Sequence, residues 1–255
     1  MKTHSSKKKP LQKRKVSPLN IFMIVAIAIL LVLLFYLVVL PNYHPTPVNR
    51  PEQTIADFSL VSSSPMTQNG KVVVLFIGAE ACPYCAAESW SIVSALAQFG
   101  AWNGLSRVVS NSTDSIPDVP GYSFANSSLI SSQVVFEEVE TTTTSWDQRL
   151  QSMNSTEISV FNEYDQQGSI PFLLVGGMYL HVGAAVSPQQ ISNMNWDKAY
   201  NLSESQGNFH NQIESELGNI SRVINYMIGL PSVEAAFMLS VYLDTTGVLF
   251  TSASK

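Results

Sequence analysis

From Ile21 to Leu40 every position is apolar, twenty residues without a charge, a proline or a glycine. At about 1.5 Å per residue a helix of this length spans roughly 30 Å, the hydrocarbon thickness of a bilayer, so the run predicts a membrane-spanning segment. A cleaved signal peptide has a shorter apolar core and a small-residue cleavage site, and residues 41–45 (PNYHP) offer none. Pro41, Pro45, Pro47 and Pro51 then predict an extended spacer over 41–54. The folded domain is expected to begin near Ile55. Lys71 to Ile77 (KVVVLFI) is a continuous β-branched and aromatic run, the pattern of a strand buried on both faces, and Gly78 ends it. From Pro83 to about Phe99 the apolar residues Ala86, Trp90, Val93 and Ala97 recur at three- and four-residue steps, which predicts a helix stopped by Gly100.

Leu105 to Ser110 predicts a second strand, completing a strand–helix–strand unit. Residues 111–128, rich in Ser, Asn, Asp, Pro and Gly, predict surface loop. The run VVFEEVE within 129–140 carries a strand signal, and 141–167 is polar with a short helix expected over Glu157 to Tyr164. Ile170 to Val175 predicts a strand, and Gly176-Gly177 a two-residue hairpin into a strand from Met178 to Val182. After Pro188 the pattern is helical in three pieces, about 188–200, 207–228 and 231–243. Glu234 and Asp244 make the last of these a better core helix than a second span. There is no internal repeat.

Charge orients this layout. Residues 1–20 carry seven Lys or Arg and no acid, whereas all 19 acidic residues lie beyond position 50. By the positive-inside rule the first 20 residues form a cytoplasmic tail, 21–40 is a single-pass anchor in the lipid bilayer of the cell membrane, and 55–255 is extracytoplasmic. An acidic domain excludes nucleic acid as a partner, since phosphate binding requires a basic surface. Five glycosylation-type sequons, at Asn111, Asn126, Asn154, Asn201 and Asn219, all fall beyond the anchor. No phosphate-cradling glycine loop and no nucleophilic-serine motif is present, which disfavours a covalent hydrolase. Trp102, Trp146 and Trp196 are expected in the core or at an interface, and His210 on the surface.

The only two cysteines stand three positions apart, as Cys82-Pro83-Tyr84-Cys85, where the buried strand turns into the helix. That places Cys82 at the N-cap and Pro83 at the first helical position, where a missing N–H costs nothing. The free amides and positive dipole end of the helix favour a thiolate on Cys82, while Cys85 lies one turn inside. The asymmetry suits exchange: Cys82 attacks a disulfide and Cys85 resolves the mixed intermediate. Two other uses of the pair remain open. A fixed structural disulfide across so small a loop removes little chain entropy. Half of a metal site, completed by His181 or another group, lacks the second cysteine pair or paired histidines of a closed zinc centre.

The segment VVVLFIGAEACPYCAAESW resembles the first strand, active-site turn and long helix of thioredoxin-like proteins, with the Cys-Pro-Tyr-Cys variant of glutaredoxins and disulfide oxidoreductases. Ser169-Ile170-Pro171 followed by FLLVGG is similar to that superfamily's cis-proline loop and closing hairpin. The resemblance covers roughly 55–200. It implies an α/β fold, a thioredoxin-like mixed sheet with flanking helices and an insertion over about 111–165. It also implies that Pro171 sits opposite Cys82 and that Pro83, Tyr84, Ile170 and Pro171 shape a substrate groove, the Ile170 backbone pairing with an extended peptide. The whole layout, anchor included, further resembles an uncharacterised family of prokaryotic membrane-anchored domains of unknown function.

Two positions depart from the pattern. Ala81 stands where thioredoxins place a Trp, and Phe76 where they bury an Asp that assists proton transfer; Glu80 is the nearest carboxylate in sequence that could replace it. The expectation is a membrane-anchored thiol–disulfide oxidoreductase acting on extracytoplasmic protein thiols or disulfides. It needs no dissociable cofactor and no metal, and exchanges electrons with an unidentified redox partner. The alternative is a non-catalytic binding or metal-carrier module on the same scaffold.

Overall fold

The computed structural model describes residues 53–230. The predicted tail, the apolar run at 21–40, nearly all of the proline spacer and the helical piece at 231–243 lie outside the described residues. Among the described residues no helix is long and apolar enough to cross a membrane. They form a mixed α/β fold.

Strands β1 (Thr54–Ile55), β2 (Phe58–Leu60), β3 (Thr67–Gln68) and β4 (Lys71–Gly78) precede helix α1 (Pro83–Ala97). Strands β5 (Gly100–Asn103), β6 (Ser106–Val109), β7 (Pro120–Ser123), β8 (Ser128–Ser131) and β9 (Val134–Glu140) follow, then helix α2 (Ser155–Tyr164). Strands β10 (Phe172–Val175) and β11 (Tyr179–Val182) lead to helices α3 (Trp196–Glu204) and α4 (Asn208–Gly229). The main sheet has seven strands in the order β1-β2-β11-β10-β4-β3, with β9 paired to β4 off that path. Only the β4–β9 pair is parallel, from Val72↔Val134 to Gly78↔Glu140; β10 lies antiparallel to β4, with Phe172 opposite Ile77.

The apolar run of β4 is central because it is buried on both sides. Val72, Val74 and Phe76 join Leu173, Val175 and Tyr179 on one face, packed against Ile92 and Leu96 of α1 and Ile220, Val223 and Ile224 of α4. The alternate residues Leu75 and Ile77 join Phe172, Leu174 and Leu180 on the other face, under Phe161 of α2. A period of two on each strand thus feeds two separate cores.

Three expectations are corrected. The strand over Leu105 to Ser110 exists as β6, but it does not complete the crossover. It pairs with β7 in a separate two-stranded sheet, and Val108 is the one buried residue in it. The crossover strand is β9, whose position beside β4 at the end of the sheet tolerates its half-buried glutamates. The span 111–128 is not all surface loop, since Pro120, Gly121, Ser123, Phe124 and Ala125 are buried. Gly121 makes this possible: a Cβ there would stand 2.3 Å from the Ala86 carbonyl oxygen, so only glycine lets β7 lie against α1. Finally, the β10–β11 hairpin closes through three residues, Gly176, Gly177 and Met178, with φ of 60° and 68° at the two glycines. A side chain at Gly176 would collide with Met227 of α4 at 2.4 Å.

The helix expected over 157–164 begins at Ser155, held by a capping box between Asn154 and Glu157. The piece over 188–200 is a single 3-10 turn, Pro188–Gln190, and then α3 from Trp196. Trp90 of α1 stacks with Trp196 at 5.1 Å and meets Tyr122 and Phe209 edge-on, joining α1, β7, α3 and α4. Trp102 packs on Phe124 and Phe136 in the main core, whereas Trp146 is exposed. His210 is half-buried, its Nδ1 at 2.6 Å from the Ser203 carbonyl oxygen.

Candidate functional site

After Gly78 the chain turns through Ala79, Glu80 and Ala81, closed by the Cys82 amide donating to the Ala79 carbonyl at 3.0 Å. Cys82 is the N-cap of α1, in extended conformation (φ −77°, ψ 120°), with Pro83 at the first helical position. Its Sγ accepts from the Cys85 amide at 3.1 Å, the place a Ser or Asp oxygen occupies in an ordinary cap. Both cysteines are free thiols. A hydrogen bond from Cys85 draws the Cys82 thiol below its ordinary range, helped by the amides of Cys85 and Tyr84 and opposed by burial. Burial pushes the Cys85 thiol well up, and the hydrogen bond it gives to Cys82 and the nearby Cys82 and Glu140 charges push the same way. One sulfur is thus prepared to ionise and the other to hold its proton.

The carboxylate beside the pair is Glu140, which sequence reasoning passed over. It ends β9 directly opposite Gly78 of β4, and is 2 % exposed. Its Oε1 accepts from the Phe124 amide at 3.3 Å, and its Oε2 is buried without a partner. Burial chiefly, with the charges of Glu80, Glu138 and Cys82, raises this carboxyl to about 8. Phe76 packs edge-on against Phe124 at 4.9 Å, so the buried acid comes from the parallel neighbour strand instead of β4. Glu80 is committed elsewhere: its Oε1 accepts from Ser123 Oγ at 2.6 Å.

Two segments strap this turn. The Asn111 amide donates to the Ala81 carbonyl at 3.0 Å, and the Glu80 amide to the Thr142 carbonyl at 3.1 Å. Asn111 Nδ2 reaches the Thr144 carbonyl at 2.9 Å, while Trp146 Nε1 donates to Asp114 Oδ2 at 3.3 Å, so the segments also hold each other. Cys82 is only 4 % exposed, against 43 % for Tyr84. An open cleft of about 460 Å³, lined by Thr141, Thr142, Trp146 and Arg149 among others, borders the second segment, and neither cysteine lines it.

Of the other predicted residues, Pro83 is buried and Ile170 packs against the core cluster that contains both cysteines. The Ile170–Pro171 peptide is cis, and Pro171 leads directly into β10. The β10–β4 register puts Pro171 at the sheet end from which β4 runs on to Cys82. His181 does not complete a metal site with the cysteines; it groups with Asp57 and Glu216.

The geometry defines an α/β domain with an asymmetric dithiol at a helix N-terminus and a buried carboxyl behind it. Residues 57–160 match the model of a domain of unknown function, DUF929, a span that takes in the cysteine pair, both strapping segments and Glu140 but ends before Pro171. No curated protein and no solved structure matches the chain.

Proposed function

We propose that this protein is a membrane-anchored, extracytoplasmic thiol–disulfide oxidoreductase with a thioredoxin-like arrangement, and that Cys82 and Cys85 are its working pair. The strand order supports the arrangement: a strand–helix–parallel-strand unit (β4, α1, β9), then an antiparallel hairpin (β10, β11) and a closing helix (α4). The observation that carries the chemistry is the opposed tuning of the two thiols, with Cys82 Sγ capped by the Cys85 amide at 3.1 Å.

In the reducing direction the Cys82 thiolate attacks one sulfur of a protein disulfide, and the other sulfur leaves as a thiolate that takes up a proton. Cys85 then gives up its proton, to Glu140 once that carboxyl is ionised, and attacks Cys82 Sγ. This closes the internal disulfide, releases the second substrate thiol and moves two electrons to the substrate. A redox partner outside the chain restores the dithiol. Pro83, Tyr84, Ile170 and Pro171 border the approach to Cys82, and the strapping segments move aside to admit it.

The near-complete burial of Cys82 favours a second reading, a non-catalytic binding module on the same scaffold. One experiment separates the two. The full-length protein is expected to catalyse insulin reduction or reactivation of scrambled ribonuclease, and Cys82→Ser to abolish it. A Cys85→Ser variant is expected to accumulate mixed disulfides. Equal turnover by wild type and Cys82→Ser sinks the catalytic reading.

A further inference from the structure

Among the described residues, ligand-type side chains converge at one place apart from the dithiol. Asp57 in the β1–β2 turn, His181 on β11 and Glu216 on α4 each bring one such atom within 4.8 Å of the other two. His181 Nδ1 lies 3.5 Å from Asp57 Oδ2, and its Nε2 is buried without a partner. Glu216 is 1 % exposed; its Oε2 accepts from Asn219 Nδ2 at 3.0 Å, and its Oε1 has no partner. Behind them Glu88 is fully buried, its oxygens taken by Ser91 Oγ and the amides of Ala185 and Val186.

Two buried polar atoms, Glu216 Oε1 and His181 Nε2, thus stand without a partner in one cluster with the Asp57 carboxyl. A buried polar atom left without a partner forfeits its hydration with nothing in return, the more so if charged. The two come from β11 and α4, and the Asp57 carboxylate of the β1–β2 turn meets them there. We propose that Asp57, His181 and Glu216 bind a divalent transition-metal ion, zinc(II) in first place, which ties the β1–β2 turn to β11 and α4. One imidazole nitrogen with two carboxylate oxygens suits a borderline ion, while magnesium and calcium take all-oxygen shells. Bonds of about 2.0–2.1 Å in a tetrahedron set ligand atoms roughly 3.4 Å apart, so the present spacing has to close slightly on binding. Asp57, with its side chain 38 % exposed, has the freedom to do that, and its open side leaves the fourth position to water. The cysteines take no part, so this site stands or falls separately from the exchange chemistry.

The test uses the full-length chain, stripped with a chelator and titrated with Zn²⁺ and with Co²⁺. Expected are one equivalent of tightly held metal, a Co²⁺ spectrum without a thiolate charge-transfer band, and an unfolding midpoint that rises with metal concentration. Asp57→Asn is expected to weaken binding at least tenfold without changing the metal-free midpoint, and His181→Ala to abolish it. The Cys82→Ser/Cys85→Ser double variant is expected to bind like wild type. Should His181→Ala fail to fold, the exposed Asp57→Asn still decides the matter. The proposal is overturned if wild type retains no metal at micromolar concentration, if both ligand variants bind normally, or if the cysteine double variant loses the metal.

Discussion

Glu140 shows how one side chain acquires a role from its neighbours. Its carboxyl titrates at the ordinary 4.5 in an unfolded chain and at about 8 in the fold. Between those values the unfolded state releases a proton that the folded state keeps, so this residue makes stability fall as pH rises across the window and level off above it. The full difference is on the order of 5 kcal/mol, since each unit is worth about 1.4 kcal/mol. Glu140→Gln keeps the acceptor for the Phe124 amide and removes the titration. Urea unfolding at pH 5 and pH 8.5 is expected to show a smaller loss for the variant by a few kcal/mol, together with slower resolution of a mixed disulfide by Cys85. An unchanged pH slope would falsify the buried proton. The cysteine pair was legible from spacing and from the strand-to-helix switch, because N-cap chemistry is local. Glu140 was not legible: VVFEEVE presents three glutamates, and only the register Gly78↔Glu140 places one of them against the thiols.

At the scale of elements, two segments are bonded to the turn that leads into Cys82, through Ala81 and Glu80. Asn111 is their hinge pin. Its Oδ1 accepts from the amide and hydroxyl of Thr113, and its Nδ2 crosses to Thr144. Asn111→Ala removes those side-chain bonds and leaves the backbone bond to Ala81 intact. If the straps gate the thiol, alkylation of Cys82 at constant pH is expected to accelerate about tenfold, equivalent to roughly 1.4 kcal/mol less opening free energy. An unchanged alkylation rate places the entry elsewhere. None of this was readable from the polar composition of 111–128, which describes a loop's solvent side and not what its backbone covers. The same holds for β6, which forms a strand as expected but whose partner is β7.

For the molecule as a whole, the apolar run over 21–40 sets the expectation that the protein stays with membranes. An alkaline carbonate wash of cells making the full-length chain should leave it in the pellet, and a chain lacking 1–52 should appear in the supernatant; release of both removes the anchor. Local pattern was sufficient for that expectation, for β4, for α1 and for α4, since each depends on hydrophobic period and on Gly or Pro punctuation within a few residues. It was sufficient for the dithiol too, because the groups that lower Cys82 belong to Tyr84 and Cys85, inside the same four-residue motif. What needed the folded chain was every pairing across distance: β9 as the parallel neighbour of β4, Glu140 behind the sulfurs, the segments bonded to the turn before Cys82, and the meeting of Asp57, His181 and Glu216 from positions up to 159 residues apart. Periodicity records which face of an element is dry. It carries no record of which other element dries it, and that choice, made by burial summed over the whole core, is where the chemistry of this site was decided.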